Sequence, residues 1–398
     1  EVMTAPKLRF KEFDGDWIYE NIQGLVDSKI LDKPMDGNHG EIHPTSADYV
    51  EDGIPFVMAT DIFNGQVYLN KSKKIPKKQA DSLRKGFSLA GDILLTHKAT
   101  IGNVAVVPEL NTPYVMLTPQ VTYYRILNKE KLIPEFLKNN FESPYFQNEL
   151  LALCTGATRL YIGISEQRKI PFRYCCIEEQ TKIASFLSAV DEKISQLTKK
   201  HELLSQYKQG MMQKLFSQQI RFKADDGSEF REWEEKELHQ IFQIKAGGDI
   251  DKDSVSEVKT SEFCYPIFAN SDKNKGFYGW ANKFKYTEAV TVTGRGNLGI
   301  AVARNKPFYP IVRLLVLLPL IKQNLKFFEE QINLLDIVSE STGVPQLTAP
   351  QLSKYKVYVP SFEEQTKIAN FLSAIDQKIE VVAQQIEQAK VWKKGLLQ

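Results

Sequence analysis

Two stretches of the chain place their apolar residues on alternating steps of four and three. In the first, Ile183, Leu187, Val190, Ile194, Leu197, Leu204, Met211 and Leu215 follow this rhythm, and only His201 and Lys208 interrupt it. In the second, Ile368, Leu372, Ile375, Ile379, Val382, Ile386, Ala389 and Leu396 do the same, with Lys393 as the exception. A seam sustained over about four heptads predicts a long helix that requires a partner along its length. Elsewhere the pattern changes to short β-like runs, such as Val104–Val107 and Ala289–Thr293, punctuated by Gly, Pro and Asn.

The two helical stretches are copies. Glu178–Ile194 and Glu363–Ile379 agree at fourteen of seventeen positions at a constant offset of 185, and Tyr207-Lys-Gln-Gly210 answers Trp392-Lys-Lys-Gly395 in the same register. The segment before each helix also corresponds, more faintly. Arg9-Phe10-Lys11 with Gly15 and Trp17 is echoed by Arg221-Phe222-Lys223 with Gly227 and Trp233, and Cys154-Thr-Gly-Ala-Thr-Arg-Leu160 by Ser341-Thr-Gly-Val-Pro-Gln-Leu347. The order is head, helix, head, helix. The expected fold is α+β, with two mixed α/β domains joined by two long antiparallel coiled-coil helices in a pseudo-two-fold repeat. Its boundaries fall at 1–172, 173–219, 220–360 and 361–398.

Composition narrows the function. At 398 residues, with 42% hydrophobic and 25% charged positions, the chain suits two globular domains plus helices. The net charge of +2 does not announce a nucleic-acid binder, but charge is uneven. Lys71, Lys73, Lys74, Lys77, Lys78, Arg84 and Lys85 face only Asp81, which fits either a solvated face or a phosphate-contacting patch. Four cysteines (Cys154, Cys175, Cys176, Cys264) lack the number and spacing of a disulfide framework or zinc site, so reduced thiols in a cytoplasmic protein are expected. No leader-like run opens the sequence, and Ile311–Ile321, the most apolar stretch, is too short and too interrupted by Arg313 and Pro319 to span a bilayer.

The Arg-Phe openings leading to a Trp, the Thr-Gly-x-x-x-x-Leu edges and the duplicated Glu-Glu-Gln-x-x-Ile-Ala-x-Phe-Leu-Ser helix starts resemble the specificity subunits of type I restriction-modification systems. The resemblance covers essentially the whole chain. It implies two target-recognition domains, each reading one half of a split double-stranded DNA sequence and held apart by two antiparallel helices. It further implies a complex with two adenine-methyltransferase subunits and, for cleavage, ATP-driven motor (restriction) subunits. One departure is that the second copy stops at Gln398 where the first runs on through Lys214-Leu-Phe216; a truncated terminus would weaken the last turn of the pair. The 33 residues from Ile183 to Leu215 make a rod about 50 Å long at about 1.5 Å per residue. That is on the order of 15 base pairs at about 3.4 Å each.

Candidate contacts come from aligning the heads. Lys98 stands opposite Arg295, Thr100 opposite Asn297 and Gly102 opposite Gly299, so each head offers a cation and a small polar side chain on a glycine-containing turn after a strand. Arg suits guanine, Asn suits adenine, and glycine permits close backbone approach. Asn103 beside the first turn, the loop of Asn270, Lys273 and Lys275 near Tyr278 and Trp280, the paired edge residues Arg159 and Gln346, and the basic Lys73 and Lys74 complete the set. A solvated hairpin and loop are the alternative.

Other signals fail on their own terms. Gly294-Arg-Gly-Asn-Leu-Gly299 matches a dinucleotide fingerprint, yet Pro307 and Pro310 follow where a helix is needed. Asp249, Asp251 and Asp253 begin like a calcium loop, but Ser254 and Thr260 occupy the glycine and glutamate positions. His39 and His43 have no third ligand in view. With no phosphate-cradling loop and no Asn/Asp-Pro-Pro-Tyr/Phe methyltransferase motif, the chain is expected to be non-catalytic, with no metal and no cofactor. A stand-alone nuclease would need a metal-carboxylate cluster. A coiled-coil scaffold binding only proteins would leave the two unlike heads unexplained.

Overall fold

The structure, a computed structural model, describes residues 6, 8–39, 43–156, 160–337 and 346–397. The long helices form where the apolar rhythm predicts them, as Ile177–Phe216 and Phe362–Leu396. Two shorter helices, Pro134–Glu142 and Leu325–Ile332, precede them, giving α1 (Pro134–Glu142), α2 (Ile177–Phe216), α3 (Leu325–Ile332) and α4 (Phe362–Leu396) in chain order. Every seam position named above is buried or half-buried. No described helix is long and apolar enough to cross a membrane.

The chain divides into two compact units, residues 1–198 with 384–398, and residues 199–383. Each therefore contains part of both long helices. In unit 1 the ring of Phe186 meets that of Trp392 edge-on at 5.9 Å, and Asp191 pairs with Lys393 at 2.7 Å. In unit 2 the second part of α2 lies beside the first part of α4, with Lys208 2.7 Å from Asp376.

The units repeat one another sheet by sheet. In unit 1 a four-stranded sheet runs in the order Met35–Asp36, Val121–Tyr124, Ile93–Lys98, Thr100–Val106; in unit 2 the order is Phe242–Ala246, Leu315–Pro319, Ala289–Val292, Ala301–Arg304. The pairs within these two sheets are all antiparallel. A second sheet in each unit centres on one strand with an antiparallel neighbour on one side and a parallel neighbour on the other. Ile54–Val57 lies between Lys73–Ile75 and Val115–Leu117, and Tyr265–Phe268 lies between Phe277–Ala281 and Tyr309–Pro310. Finally, Ile18–Asn21 pairs with Pro171–Tyr174 and Glu234–Glu237 with Lys356–Val359, closing each head just before its long helix.

In each Glu-Glu-Gln helix start the second Glu and the Gln are buried, and the first Glu is exposed. Glu179, Gln180 and Glu364 are fully enclosed, and Gln365 is 2% exposed. Arg9 donates to both carboxylate oxygens of Glu179 at 2.7 Å, and Arg221 donates to both of Glu364 at 3.2 and 3.0 Å. Gln180 Nε2 donates to the Lys131 and Cys175 carbonyls at 2.8 Å, while Gln365 Oε1 accepts from the Asn324 backbone at 2.9 Å. A carboxylate in the first turn also meets the positive end of the helix dipole. The matched Arg-Phe and Glu-Glu-Gln motifs are two halves of one clasp.

The lysines that break the apolar rhythm have an equivalent explanation. In unit 1, Lys393 reaches Glu142 at 2.8 Å and Asp191 at 2.7 Å, and Lys138 reaches Glu142 at 3.1 Å. In unit 2, Lys208 reaches Glu330 at 2.9 Å and Asp376 at 2.7 Å, and Lys326 reaches Glu330 at 2.7 Å. Each has a four-charge centre in which a lysine and an aspartate from the two long helices meet a Lys/Glu pair one turn apart on α1 or α3, and in unit 2 Glu329 adds a fifth charge, 2.7 Å from Lys326. Burial disfavours the ionised Asp376 carboxyl, but Lys208 and Lys326 outweigh that and hold its pKa below the usual carboxylate range.

Replacing Glu364 by Gln keeps the shape of the clasp and removes its charge from beside Arg221. Unfolding in urea should show unit 2 destabilised by about 3–5 kcal/mol, the scale for breaking a buried pair from one side, with unit 1 unchanged.

Candidate nucleic-acid interface

In unit 1 the strands Ile93–Lys98 and Thr100–Val106 turn on a single residue, Ala99, whose φ of 66° lies in the left-handed region. Lys98, Ala99 and Thr100 are exposed. The Thr-Gly edge lies alongside this turn, since Ala99 N–H donates to the Leu160 carbonyl at 3.3 Å and Ile162 N–H donates to that of His97 at 3.1 Å. Half-exposed Tyr161, bridged to Lys98, joins the same surface. His97 is buried directly beneath, where burial holds its pKa below the usual imidazole range.

Asn103 is half-buried beside the turn. Its amide donates to the Ile62 carbonyl at 2.7 Å and its backbone N–H to Thr96 Oγ1 at 2.9 Å, so it fastens the 58–72 connection to this strand. That connection carries Phe63 stacked on Tyr68 at 3.9 Å and 6°, with Lys71 Nζ 5.4 Å from the Tyr68 ring centre. Lys73 and Lys74 follow on an edge strand of the second sheet, while Lys77 and Lys85 of the same basic run are paired with Asp81 and Asp36. Arg159 lies outside the described residues.

Unit 2 gathers more of the expected residues. Gly294–Gly299 forms the turn between Ala289–Val292 and Ala301–Arg304, a strand following where a dinucleotide site needs a helix. Arg295, Gly296 and Asn297 are exposed at its tip, and Gly296 (φ 69°) has open space around it. Gln346 forms a β-bridge with Arg295, and Leu347 N–H donates to the Gly294 carbonyl at 2.9 Å. The loop after Tyr265–Phe268 completes the cluster. Gly294 N–H donates to Asn270 Oδ1 at 2.7 Å, Asn270 Nδ2 donates to the Val312 carbonyl, and Asn297 Nδ2 donates to Asp272 Oδ2 at 2.6 Å.

Asn270 is thus the brace of the loop, and exposed Lys273 and Lys275 project from it. Asn274, Lys275 and Gly276 are all left-handed, at φ 48°, 51° and 78°. Such a run is unfavourable by about 1–2 kcal/mol for each non-glycine residue and needs anchoring. Arg304, which sequence reasoning missed, supplies it. Its guanidinium donates to the Lys275 carbonyl at 2.6 Å and to Thr291 Oγ1 at 3.1 Å, and lies 3.5 Å from the Phe268 ring centre. Burial pulls its pKa down to about 10, against the attraction of Glu329, and it stays charged at neutral pH. The signal was a lone arginine ending the otherwise apolar run Ala301-Val-Ala.

The aligned glycines have internal reasons. A Cβ on Gly102 (φ 89°) would collide with Gln147 Oε1, and one on Gly299 (φ 81°) would come within 2.9 Å of Ile337 Cβ.

A family model for the type I restriction modification DNA specificity domain matches residues 35–205 and again 231–391. The chain belongs to that family. The two matches fall one on each copy of the repeat, which disfavours the protein-only scaffold. A putative type I specificity subunit of Mycoplasma pneumoniae, S.MpnORF507P, is 31% identical over 200 residues, half of this chain and 53% of the relative. The chain thus spans about half the length of that relative. The type I restriction enzyme MjaVIII specificity subunit of Methanocaldococcus jannaschii is 26% identical across 96% of this chain and 89% of the relative. The crystal structure of a type I restriction-modification S subunit from M. genitalium shares the fold, with a TM-score of 0.62 and 18% identity over 98% of this specificity-family chain and 97% of that one.

Arg304→Met should release the 271–276 loop without unfolding unit 2. Hydrogen exchange at those amides is expected to rise by a factor corresponding to about 1–3 kcal/mol, the scale of two charge-assisted hydrogen bonds and a ring contact, while exchange in unit 1 stays unchanged.

Proposed function

We propose that this chain is the sequence-reading subunit of a type I restriction-modification complex, with each unit reading one word of a bipartite double-stranded DNA target. The observation that carries the reading is the repeated frame with unlike tips. Both units present a β-turn from equivalent sheets, with Lys98 and Thr100 exposed on one and Arg295 and Asn297 on the other. Identical frames position and different side chains specify, so the two words differ. In this reading Arg295 and Lys98 are the primary readers and Thr100 a secondary one. Asn297 reads after exchanging its Asp272 partner, Gln346 acts from its bridge to Arg295, and Arg159 is a further reader. Lys273, Lys275, Lys73 and Lys74 meet phosphates, while Asn103 and Asn270 hold their loops in place. The subunit acts in the cytoplasm without a catalytic centre, metal or cofactor. It directs two adenine-methyltransferase subunits and, for cleavage, the motor subunits.

The test is to map methylated adenines in DNA from cells expressing this chain with its cognate methyltransferase subunit. Modification should be confined to two unlike words around a fixed gap. Arg295→Ala should relax one word and Lys98→Ala the other, each weakening binding by about 5- to 150-fold, the range of about 1–3 kcal/mol for a good base contact. Modification at one continuous motif, or without this chain, would overturn the reading.

For binding by the assembled complex, affinity should fall linearly on a log–log plot against salt. The slope should become shallower by about 0.9 for each phosphate-contacting lysine removed. Replacing Lys273 or Lys275 should show this change with the recognised words unaltered.

A further inference from the structure

A tight turn joins the two four-stranded sheets at the same place in each unit. In unit 1 it is Thr118–Val121, where Thr118 N–H donates to the Val57 carbonyl at 3.1 Å and Val121 N–H to that of Thr118 at 3.2 Å. In unit 2 it is Ile311–Leu314, where Ile311 N–H donates to the Phe268 carbonyl at 2.9 Å and Leu314 N–H to that of Ile311 at 3.1 Å. The central pair is Pro119-Gln120 in one and Val312-Arg313 in the other. Val312 and Arg313 are both left-handed, at φ 51° and 59°, a conformation that a β-branched residue adopts only under strain. Neither Pro119 nor Gln120 is left-handed. The unit 2 turn is pinned from both sides. Val312 and Arg313 N–H donate to the Gly248 and Gly247 carbonyls at 3.1 and 3.0 Å, and the Val312 carbonyl accepts from Asn270. Gly247 permits this approach, since a Cβ there would come within 2.9 Å of the Pro310 carbonyl.

This turn lies against the tip that carries Arg295. Val292 pairs with Leu315, and the same register carried two residues further sets Gly294 opposite Arg313. A Cβ on Gly294 would lie 3.6 Å from the Arg313 carbonyl oxygen. Asn270 ties the two together, accepting from Gly294 N–H at 2.7 Å while its amide donates to the Val312 carbonyl. Arg295 and Arg313 are both exposed, and neither has an acidic partner among the described residues. A strained turn fixed at its backbone and ending in an exposed, unpaired guanidinium is the form of a group held ready for a ligand. Resting on the reading that unit 2 recognises one DNA word, we propose that Arg313 is a further specificity-determining residue of that word, meeting a base edge next to the one met by Arg295. Guanine suits it, because the guanidinium offers two parallel N–H donors. Gln120 holds the matching place in unit 1, where its carbonyl accepts from His97 N–H at 3.0 Å beside Lys98, so the turns differ between the units as the tips do.

The experiment maps methylated adenines in cells expressing the full chain with its cognate methyltransferase subunit, first unsubstituted and then as Arg313→Ala and Arg313→Gly. Absence of two words with the unsubstituted chain marks failure of the underlying reading and takes this proposal with it. With two words present, Arg313→Ala should relax one position of the word that Arg295→Ala relaxes. The assembled complex should bind its site about 5- to 150-fold more weakly, the range for a good base contact, and the word read through Lys98 should stay intact. Arg313→Gly removes the side chain but accepts the left-handed backbone without strain. It should relax the same position while the chain melts no lower than the unsubstituted one. An unaltered word in Arg313→Ala, whether or not the salt slope becomes shallower by the roughly 0.9 of a lost phosphate contact, would overturn the proposal. Relaxation of the word read through Lys98, or relaxation seen only together with a fall in melting temperature in both variants, would overturn it as well.

Discussion

The architecture depends on placing a carboxylate where water cannot reach it, at the first turn of each long helix. Glu179 and Glu364 are fully enclosed, and a buried, unpaired carboxylate would not remain ionised. Each is matched by one arginine, Arg9 or Arg221, from the segment that opens the same head. This pairing ties the beginning of a head to the beginning of the helix that follows it, across 170 residues in the first copy and 143 in the second. Both ends of the head are thereby fixed to one point, and the two-stranded closures Ile18–Asn21 with Pro171–Tyr174 and Glu234–Glu237 with Lys356–Val359 sit beside it.

The four-charge networks extend the same logic along the helices. An aliphatic seam sets affinity between helices but tolerates sliding by a heptad. A lysine at one seam position, with acidic partners only at one level, defines the register. Lys393 finds Glu142 and Asp191 in unit 1, and Lys208 finds Glu330 and Asp376 in unit 2. Because a neighbouring helix, α1 or α3, supplies the glutamate in each case, the networks also lock the helix seam to the head. The same chemistry appears twice because the same geometrical problem is solved twice.

Against this duplicated hardware, the loops differ freely. The 58–72 connection in unit 1 is long and carries its own small hairpin and an aromatic stack, while its topological counterpart in unit 2 is the short left-handed loop after Tyr265–Phe268. One is fastened by Asn103 and the other by Asn270 and Arg304. Different internal fasteners on a common sheet allow the exposed tips to diverge without disturbing the core, which is the property expected of a family whose members recognise different sequences.

The repeat, the two long helices with their seam, and the head–helix–head–helix order were legible along the chain, because these follow from periodicity and near-identity, which are local or self-referential properties. It also marked the Lys98 and Arg295 turns, since a cation and a small polar residue flanked by strand-like runs are read along the chain. Which polar side chains brace these loops depends on tertiary contacts. Asn103 and Asn270 have the composition of base readers, yet their amides close on carbonyls 41 and 42 residues away. A Cβ on Gly102 or Gly299 would meet Gln147 or Ile337, contacts that nothing along the chain announces. Lys208 and Lys393 read as flaws in a seam until partners from other helices came into view. Hydrogen-bond partners and ion pairs distant in sequence leave no periodic trace, so the bracing residues emerge only when the strands are assembled.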